Sequence, residues 1–155
     1  MNERFLFSDY LPLLPEVVLA VLTMALLMAG AFAGNKAMRT ISFGGLGALV
    51  ITGLALISLD WAPRTISGGM IVLDGFAGFV KLLILAGLAA ALAMSMRYLQ
   101  HERIARFEYP VLVLLAGLGM MLMVSANDLL SLYLALELQS LSLYVLAAFH
   151  RDLAR

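Results

Sequence analysis

Residues 129–149 read LLSLYLALELQSLSLYVLAAF, and the only ionisable carboxyl group among them is that of Glu137, near the middle of the run. A helix needs about 20 mostly apolar residues to cross the hydrocarbon core of a bilayer. This stretch therefore predicts a transmembrane helix that carries one acidic side chain at about the mid-depth of the membrane.

The composition of the whole chain also favours lipid as its surroundings. Of the 155 residues, 63% are hydrophobic and 13% are charged, and the mean hydropathy is +1.01. This charged fraction is about half of that in a typical soluble domain. The formal net charge is zero, so nothing in the charge balance points to nucleic acid as a partner. The absence of cysteine excludes disulfides and thiolate metal sites within these residues.

Four more apolar segments precede the quoted one. The five predicted spans run over about residues 11–33, 41–59, 75–96, 110–125 and 129–149. The segment 60–74 contains Pro63, Gly68 and Gly69, and we expect it to be irregular. The sequence therefore predicts an all-α integral membrane protein with five transmembrane helices in a single domain, residues 1–155.

Lysine and arginine are distributed unequally between the two sets of loops. One set holds seven basic residues: Lys36, Arg39, Arg97, Arg103, Arg106, Arg151 and Arg155. The other set holds only Arg4 and Arg64. Because basic residues are enriched in cytoplasmic loops, we expect the N-terminus on the outer, periplasmic side and residue 155 in the cytoplasm.

Glu137 is the main candidate for a functional residue. An ionised side chain at the bilayer centre costs at least a few kcal/mol, so such residues are rare and mark functional sites by default. A carboxyl group there is neutral or charged depending on its surroundings, which suits a proton relay. Tyr133, Ser140 and Tyr144 lie on its helical face and form a supporting polar stripe. The alternative is a structural carboxyl group held by hydrogen bonds from a neighbouring helix.

Lys81 is a second ionisable residue inside a predicted span. Its side chain points toward the helix N-terminus, so it reaches the outer interface or meets Asp74 seven residues earlier. A role in an ion or proton pathway is the alternative. Glu16, Asn127 and Asp128 stand at outer helix starts, where we interpret them as capping or dipole-stabilising residues.

Several other features favour packing over chemistry. His101 and His150 lack the neighbouring ligands of a metal site, and no pair of nucleophile and base is visible. Gln139 lies on a different face from Glu137, where we expect it to hydrogen-bond to a packing neighbour. Small residues recur in the second and fourth spans, where they allow helices to approach closely in lipid. They are Gly44, Gly45, Gly47, Ala48, Gly53, Ala116, Gly117 and Gly119.

The segment 119–149, GMMLMVSANDLLSLYLALELQSLSLYVLAAF, closely resembles subunit N of proton-pumping NADH:quinone oxidoreductase, respiratory complex I. The LELQSL core and the SLYVLAAF continuation carry the resemblance. The segment 74–81, DGFAGFVK, is also similar to this subunit. The related subunits L and M, and cation/proton antiporter subunits, tend to have tryptophan before the glutamate. His150 departs from the family's pattern but lies outside the core motif.

This resemblance implies an antiporter-like subunit of fourteen helices with two inverted five-helix repeats, of which the 155 residues are the N-terminal portion. We therefore expect them to be part of a longer chain. Glu137 corresponds to the family's helix-five glutamate, which pairs with a lysine on helix seven that this sequence does not contain. The implied function is proton translocation by the membrane arm in a bacterial inner membrane. The implied partners are lipid and the other membrane subunits of a hetero-oligomer. The resemblance also implies that NADH, flavin, iron–sulfur clusters and quinone are bound by other subunits, and that this one binds no cofactor.

Two rival interpretations stay open at this point. A cation/proton antiporter or membrane-bound hydrogenase subunit shares the mid-helix glutamate but works without NADH. A passive membrane scaffold would need Glu137 only for folding. Association with flavin and iron–sulfur subunits distinguishes the first rival, and the separation of assembly from activity in Glu137 variants distinguishes the second.

Overall fold

A computed structural model describes residues 11–34, 38–101 and 106–148. Five of its helices are long and apolar enough to cross a membrane. A 3-10 turn, Leu11–Leu13, leads into the first of them. The elements in chain order are α1 Leu14–Ala33, α2 Met38–Ile57, β1 Arg64–Ile66, β2 Ile71–Leu73, α3 Gly75–His101, α4 Glu108–Ser125 and α5 Leu129–Ala148.

The helix ends differ from the apolar runs by a few residues. The second helix lies over 38–57 rather than 41–59. The carbonyl of Leu56, near the end of this helix, accepts a hydrogen bond from a residue that follows the helix, since the Trp61 indole N–H donates to it at 2.9 Å. The third helix continues past residue 96 to His101. Hydrophobicity locates the membrane-crossing part of a helix, whereas hydrogen bonding decides where the helix stops.

Helices α1 to α4 form a four-helix bundle. Helix α1 packs against α2 and α4, and α3 also packs against α2 and α4, so α1 and α3 lie at opposite corners. On α3 the core of the bundle uses Leu85, Leu88 and Leu92, which are three and four positions apart and so share one face of that helix. The buried members of the core are Leu19, Leu49, Leu56, Leu85, Leu88, Leu92, Val113, Leu114, Leu118 and Met121.

Helix α5 stands at the side of this bundle and packs mainly on α4. Of its span, 11% is buried, compared with 56% of the α4 span. Large apolar side chains therefore cover most of its surface, among them Leu129, Leu134 and Leu141. The helix that carries Glu137 is attached to the rest of the described chain along one narrow strip.

Gly119 makes that strip possible. A Cβ atom on Gly119 would lie 2.8 Å from the Gln139 backbone nitrogen and 2.9 Å from the Ala135 carbonyl oxygen. Since backbone atoms of a packed helix cannot move aside, only glycine fits where α4 and α5 cross. Gln139 lies at this crossing, but its side chain makes no hydrogen bond to a neighbour among the described residues, so that expectation is wrong there.

The segment between α2 and α3 is not irregular, so the expectation for residues 60–74 is wrong in part. Strands β1 and β2 form an antiparallel hairpin in which Arg64 pairs with Leu73 and Ile66 with Ile71. Gly68 and Gly69 make the turn with φ of 69° and 96°, a conformation that favours glycine. The flanking RTI and IVL triplets are rich in β-branched residues, which suit strands.

Replacement of Gly119 by valine is expected to displace α5 from α4, because the new side chain overlaps the α5 backbone. We expect a loss of about 1–3 kcal/mol in stability, the usual cost of overpacking. The lowered midpoint of thermal unfolding of the detergent-solubilised protein measures it.

Gly47→Val is the matched control, since a Cβ atom there meets nothing within 4 Å. Equal unfolding midpoints for the Gly119 and Gly47 variants would show that the α4–α5 crossing does not depend on glycine.

Candidate functional site

Glu137 lies about 12 Å along α5 from its first residue, at a rise of 1.5 Å per residue. It is the only charged residue of α5, Leu129–Ala148, and it is half-buried. Within the described ranges no hydrogen bond or ion pair involves its carboxyl group. The hydrogen-bonded structural carboxyl considered as the alternative therefore has no partner helix among the described residues.

The direction of Glu137 follows from the α4–α5 crossing. Ala135 and Gln139 face α4 at Gly119, and Glu137 is two positions from each. Two positions correspond to about 200° around the helix. Glu137 therefore points away from α4, toward the side of α5 that no described helix covers.

The predicted polar stripe lies on this same side. Because α5 is unbroken from Leu129 to Ala148, Tyr133, Glu137, Ser140 and Tyr144 follow one another at helical spacing. Tyr133 is 60% and Tyr144 is 69% exposed, and Ser140 is half-buried. The structure thus places the four residues on one face; their part in a relay stays a prediction.

Lys81 is found in a different setting from the one expected. Its side chain is 1% exposed, and its ammonium group forms an ion pair with Glu16 of α1, which is also buried. The interpretation that it pairs with Asp74 is wrong. Asp74 instead caps α3, where its Oδ1 accepts the Ala77 N–H at 2.7 Å.

Glu16 is the residue whose role sequence reasoning missed. It stands in the first turn of α1, but it serves as the counter-ion of Lys81 rather than as a dipole-stabilising group only. Glu16 and Lys81 both lie about 9 Å from the start of their helical segments, by the rise per residue. The available signal was equal depth, opposite charge and a core leucine about one helical turn later on each helix, Leu19 after Glu16 and Leu85 after Lys81.

The ion pair spans the interior of the bundle, because α1 and α3 are its opposite corners. A lone charge at either position would be strongly destabilising, since no water solvates it. One carboxylate oxygen of Glu16, Oε2, is buried and accepts no hydrogen bond among the described residues. Lys81 and Glu16 therefore depend on each other as a pair.

The start of α5 is also fixed by specific contacts. The capping role predicted for Asp128 is confirmed, since its Oδ1 accepts the Ser131 N–H at 2.7 Å. Hydrogen bonds from the Ser131 side chain and backbone hold the pKa of Asp128 below its usual value. Asp128 precedes the span, so its carboxylate stays ionised at neutral pH and favours the helix N-terminus. Asn127 does not cap a helix; it bonds to the hairpin at Gly69 and Met70.

In the described segments no three acidic, histidine or cysteine residues come close enough together to hold a metal ion. His150 lies outside those segments, as do most of the basic residues used to predict the orientation: Lys36, Arg4, Arg103, Arg151 and Arg155.

Removal of one member of the Glu16–Lys81 pair is expected to destabilise the protein by about 3–5 kcal/mol, because the other charge is left buried and unpaired. The single variants Glu16→Gln and Lys81→Met should therefore accumulate poorly in membranes and unfold at lower temperature.

The double variant Glu16→Gln/Lys81→Met is the control. It should regain most of the lost stability, since it buries no charge. A double variant as unstable as the single ones would contradict the interpretation of an interdependent ion pair.

No family model matches the chain. Among curated proteins, the NADH-quinone oxidoreductase subunit N of Parvibaculum lavamentivorans is 54% identical over 147 residues, 95% of this chain and 30% of that protein. The subunit N of Paramagnetospirillum magneticum is 52% identical over the same shares. Subunit N 1 of Rhizobium meliloti is 49% identical over 155 residues, all of this chain and 32% of that protein.

A solved structure, respiratory complex I from Thermus thermophilus with bound aureothin, contains a similar chain. The TM-score is 0.72 at 30% sequence identity, over 89% of this chain and 30% of that one. The chain thus spans about 30% of the length of the relatives it matches. The resemblance carried by residues 74–81 and 119–149 is confirmed: this multi-pass membrane chain is related to subunit N of NADH-quinone oxidoreductase.

Proposed function

We propose that this chain forms a transmembrane domain within a membrane subunit of NADH:quinone oxidoreductase and contributes to proton translocation through Glu137. The observation that carries the proposal is the placement of one carboxyl group at mid-span, on the side of α5 that faces away from the bundle. The similarity to curated subunit N proteins supports the assignment to this enzyme.

The physical argument concerns the cost of charge at this depth. A carboxyl group in the membrane interior is stable either as a carboxylate next to a positive charge or as the neutral, protonated acid. Glu137 has no cationic partner among the described residues, so a partner must come from another helix. By the resemblance, that partner is a lysine on helix seven. Approach or withdrawal of this lysine would favour release or uptake of a proton at Glu137.

The redox chemistry takes place elsewhere in this proposal. The resemblance assigns NADH oxidation, flavin, iron–sulfur clusters and quinone to other subunits, and it assigns no cofactor to this chain. Tyr133, Ser140 and Tyr144 lie beside Glu137 on the same face of α5 and offer hydroxyl groups for a proton path. Redox events would act on Glu137 through neighbouring membrane subunits.

The surroundings proposed for the chain follow from the same reasoning. The apolar surface of α5 suits contact with further helices or lipid. The distribution of lysine and arginine supports a bacterial inner membrane with the hairpin on the periplasmic side and residue 155 in the cytoplasm. Both assignments are part of the proposal.

Lys81 has a different role from Glu137 in the proposed function. Its pairing with Glu16 favours a structural role, because the two charges neutralise each other inside the bundle. A relay role for Lys81 predicts that the Glu16→Gln/Lys81→Met double variant assembles but pumps fewer protons. A structural role predicts that the same variant pumps normally.

The test of Glu137 is Glu137→Gln in the assembled membrane enzyme. The amide has the same shape but takes up no proton, so we expect fewer protons to be moved per NADH oxidised than in the wild-type enzyme. Inverted membrane vesicles with a pH-sensitive dye measure proton transport, and NADH absorbance measures turnover.

Two companion variants make the result interpretable. Glu137→Asp retains a carboxyl group and should keep part of the activity. Glu137→Ala distinguishes a scaffold, for which assembly and pumping would fall together. Proton transport by Glu137→Gln at the wild-type ratio would overturn the proposed role.

A further inference from the structure

The hairpin between α2 and α3 is bound to the connection between α4 and α5. The backbone N–H of Asn127 donates to the Met70 carbonyl at 2.8 Å. Its side-chain Nδ2 donates to the Gly69 carbonyl at 2.7 Å. The neighbouring residue Ala126 forms an isolated antiparallel bridge with Ile71. One residue, Asn127, thus makes two hydrogen bonds to a segment 58 positions earlier in the chain.

The chemistry of these contacts requires asparagine. The positive-φ turn at Gly68 and Gly69 presents consecutive carbonyl oxygens of Gly69 and Met70. Asparagine offers a backbone N–H and a short side-chain amide as hydrogen-bond donors to these two oxygens. Aspartate would oppose the Gly69 carbonyl with a second acceptor, and alanine would leave it without a side-chain partner. Asn127 is exposed, so burial does not account for its position.

The hydrogen bonds of Asn127 lie directly before the first turn of α5. Asp128 follows Asn127, and its side chain and carbonyl accept the N–H groups of Ser131 at 2.7 Å and Leu132 at 3.0 Å. Because a helix is stiff over a few turns, a fixed first turn sets the axis and rotation of the residues that follow. Glu137 lies about 12 Å further along the helix from Leu129, by the rise per residue.

Helix α5 packs along its length mainly on α4, and its Leu138 and Leu146 also pack against the bundle core. This contact is made largely by apolar side chains. The hydrogen bonds of Asn127 add a directional attachment at the start of the helix.

We propose that Asn127 is a positioning residue for Glu137, and that the hairpin Arg64–Leu73 is a permanent clamp that sets the tilt and rotation of α5. The proposal rests on the proposed function of Glu137. Asn127 itself touches no reacting group; it acts by holding the helix on which the carboxyl group stands.

The first measurement does not depend on proton transport. The 155 residues contain no cysteine, so within them the bridge pair Ile71→Cys/Ala126→Cys introduces a single possible disulfide. Residues opposed in an antiparallel bridge lie at Cα separations of about 4.5–5.5 Å, which a disulfide spans. Addition of Asn127→Ala should lower the rate of disulfide formation about two- to tenfold, as expected when one hydrogen bond stops holding the pair together.

The second measurement concerns the assembled enzyme. Asn127→Ala should lower the number of protons moved per NADH and shift the pH profile of coupled turnover, because Glu137 meets its partner at an altered distance. Thr65→Ala is the matched control on the hairpin, since Thr65 is exposed and makes no side-chain hydrogen bond among the described residues. Oxidation of the Asn127→Ala/Ile71→Cys/Ala126→Cys variant should restore coupling, and a reductant should abolish that rescue.

Three outcomes would overturn the proposal. In the first, Asn127→Ala keeps the wild-type coupling and pH profile. In the second, it lowers only the amount of assembled enzyme, while each assembled molecule keeps its pH profile. In the third, the oxidised Ile71→Cys/Ala126→Cys enzyme loses coupling, which would show that the hairpin has to release α5. Intact pumping by Glu137→Gln would instead overturn the proposed function, and the disulfide rates would still decide whether Asn127 holds the hairpin.

Discussion

A charge that leaves water must be matched inside the protein, and this constraint governs the described part of the chain. Glu16 and Lys81 satisfy it within the bundle, where an ion pair joins the opposite corners α1 and α3. Glu137 does not satisfy it within the described residues. The two sites therefore differ in kind. The first is closed and self-neutralising, whereas the second has no counter-ion among the described residues.

The architecture separates these two sites. Helices α1 to α4 surround a leucine-rich core that contains the ion pair. Helix α5 touches this bundle through α4 and through the hairpin, and it exposes its remaining surface. A rigid support on one side and an open face on the other suit a helix whose carboxyl group must meet a partner at a defined distance. The relatedness to subunit N of NADH-quinone oxidoreductase agrees with this arrangement.

The parts of the fold that sequence predicted are those set by local patterns. Apolar runs located five helices, and the spacing of Tyr133, Ser140 and Tyr144 relative to Glu137 followed from helical geometry. The contacts that sequence missed join residues far apart in the chain. Neither Glu16–Lys81 nor Asn127–Gly69 carries a local signal, because each partner alone has an ordinary local interpretation. The hairpin was missed for a related reason, since its glycines suggested a loop while its strands are three residues long.

The clamp at Asn127 also has a consequence for the order of events during synthesis. Its acceptors, the carbonyl groups of Gly69 and Met70, leave the ribosome well before α4 and α5. The hairpin can close early, since its strands are adjacent in the chain and need only a short loop. The contact itself can form only once the chain has been made as far as Asn127, and it ties the start of the last helix of this segment to the segment's first half.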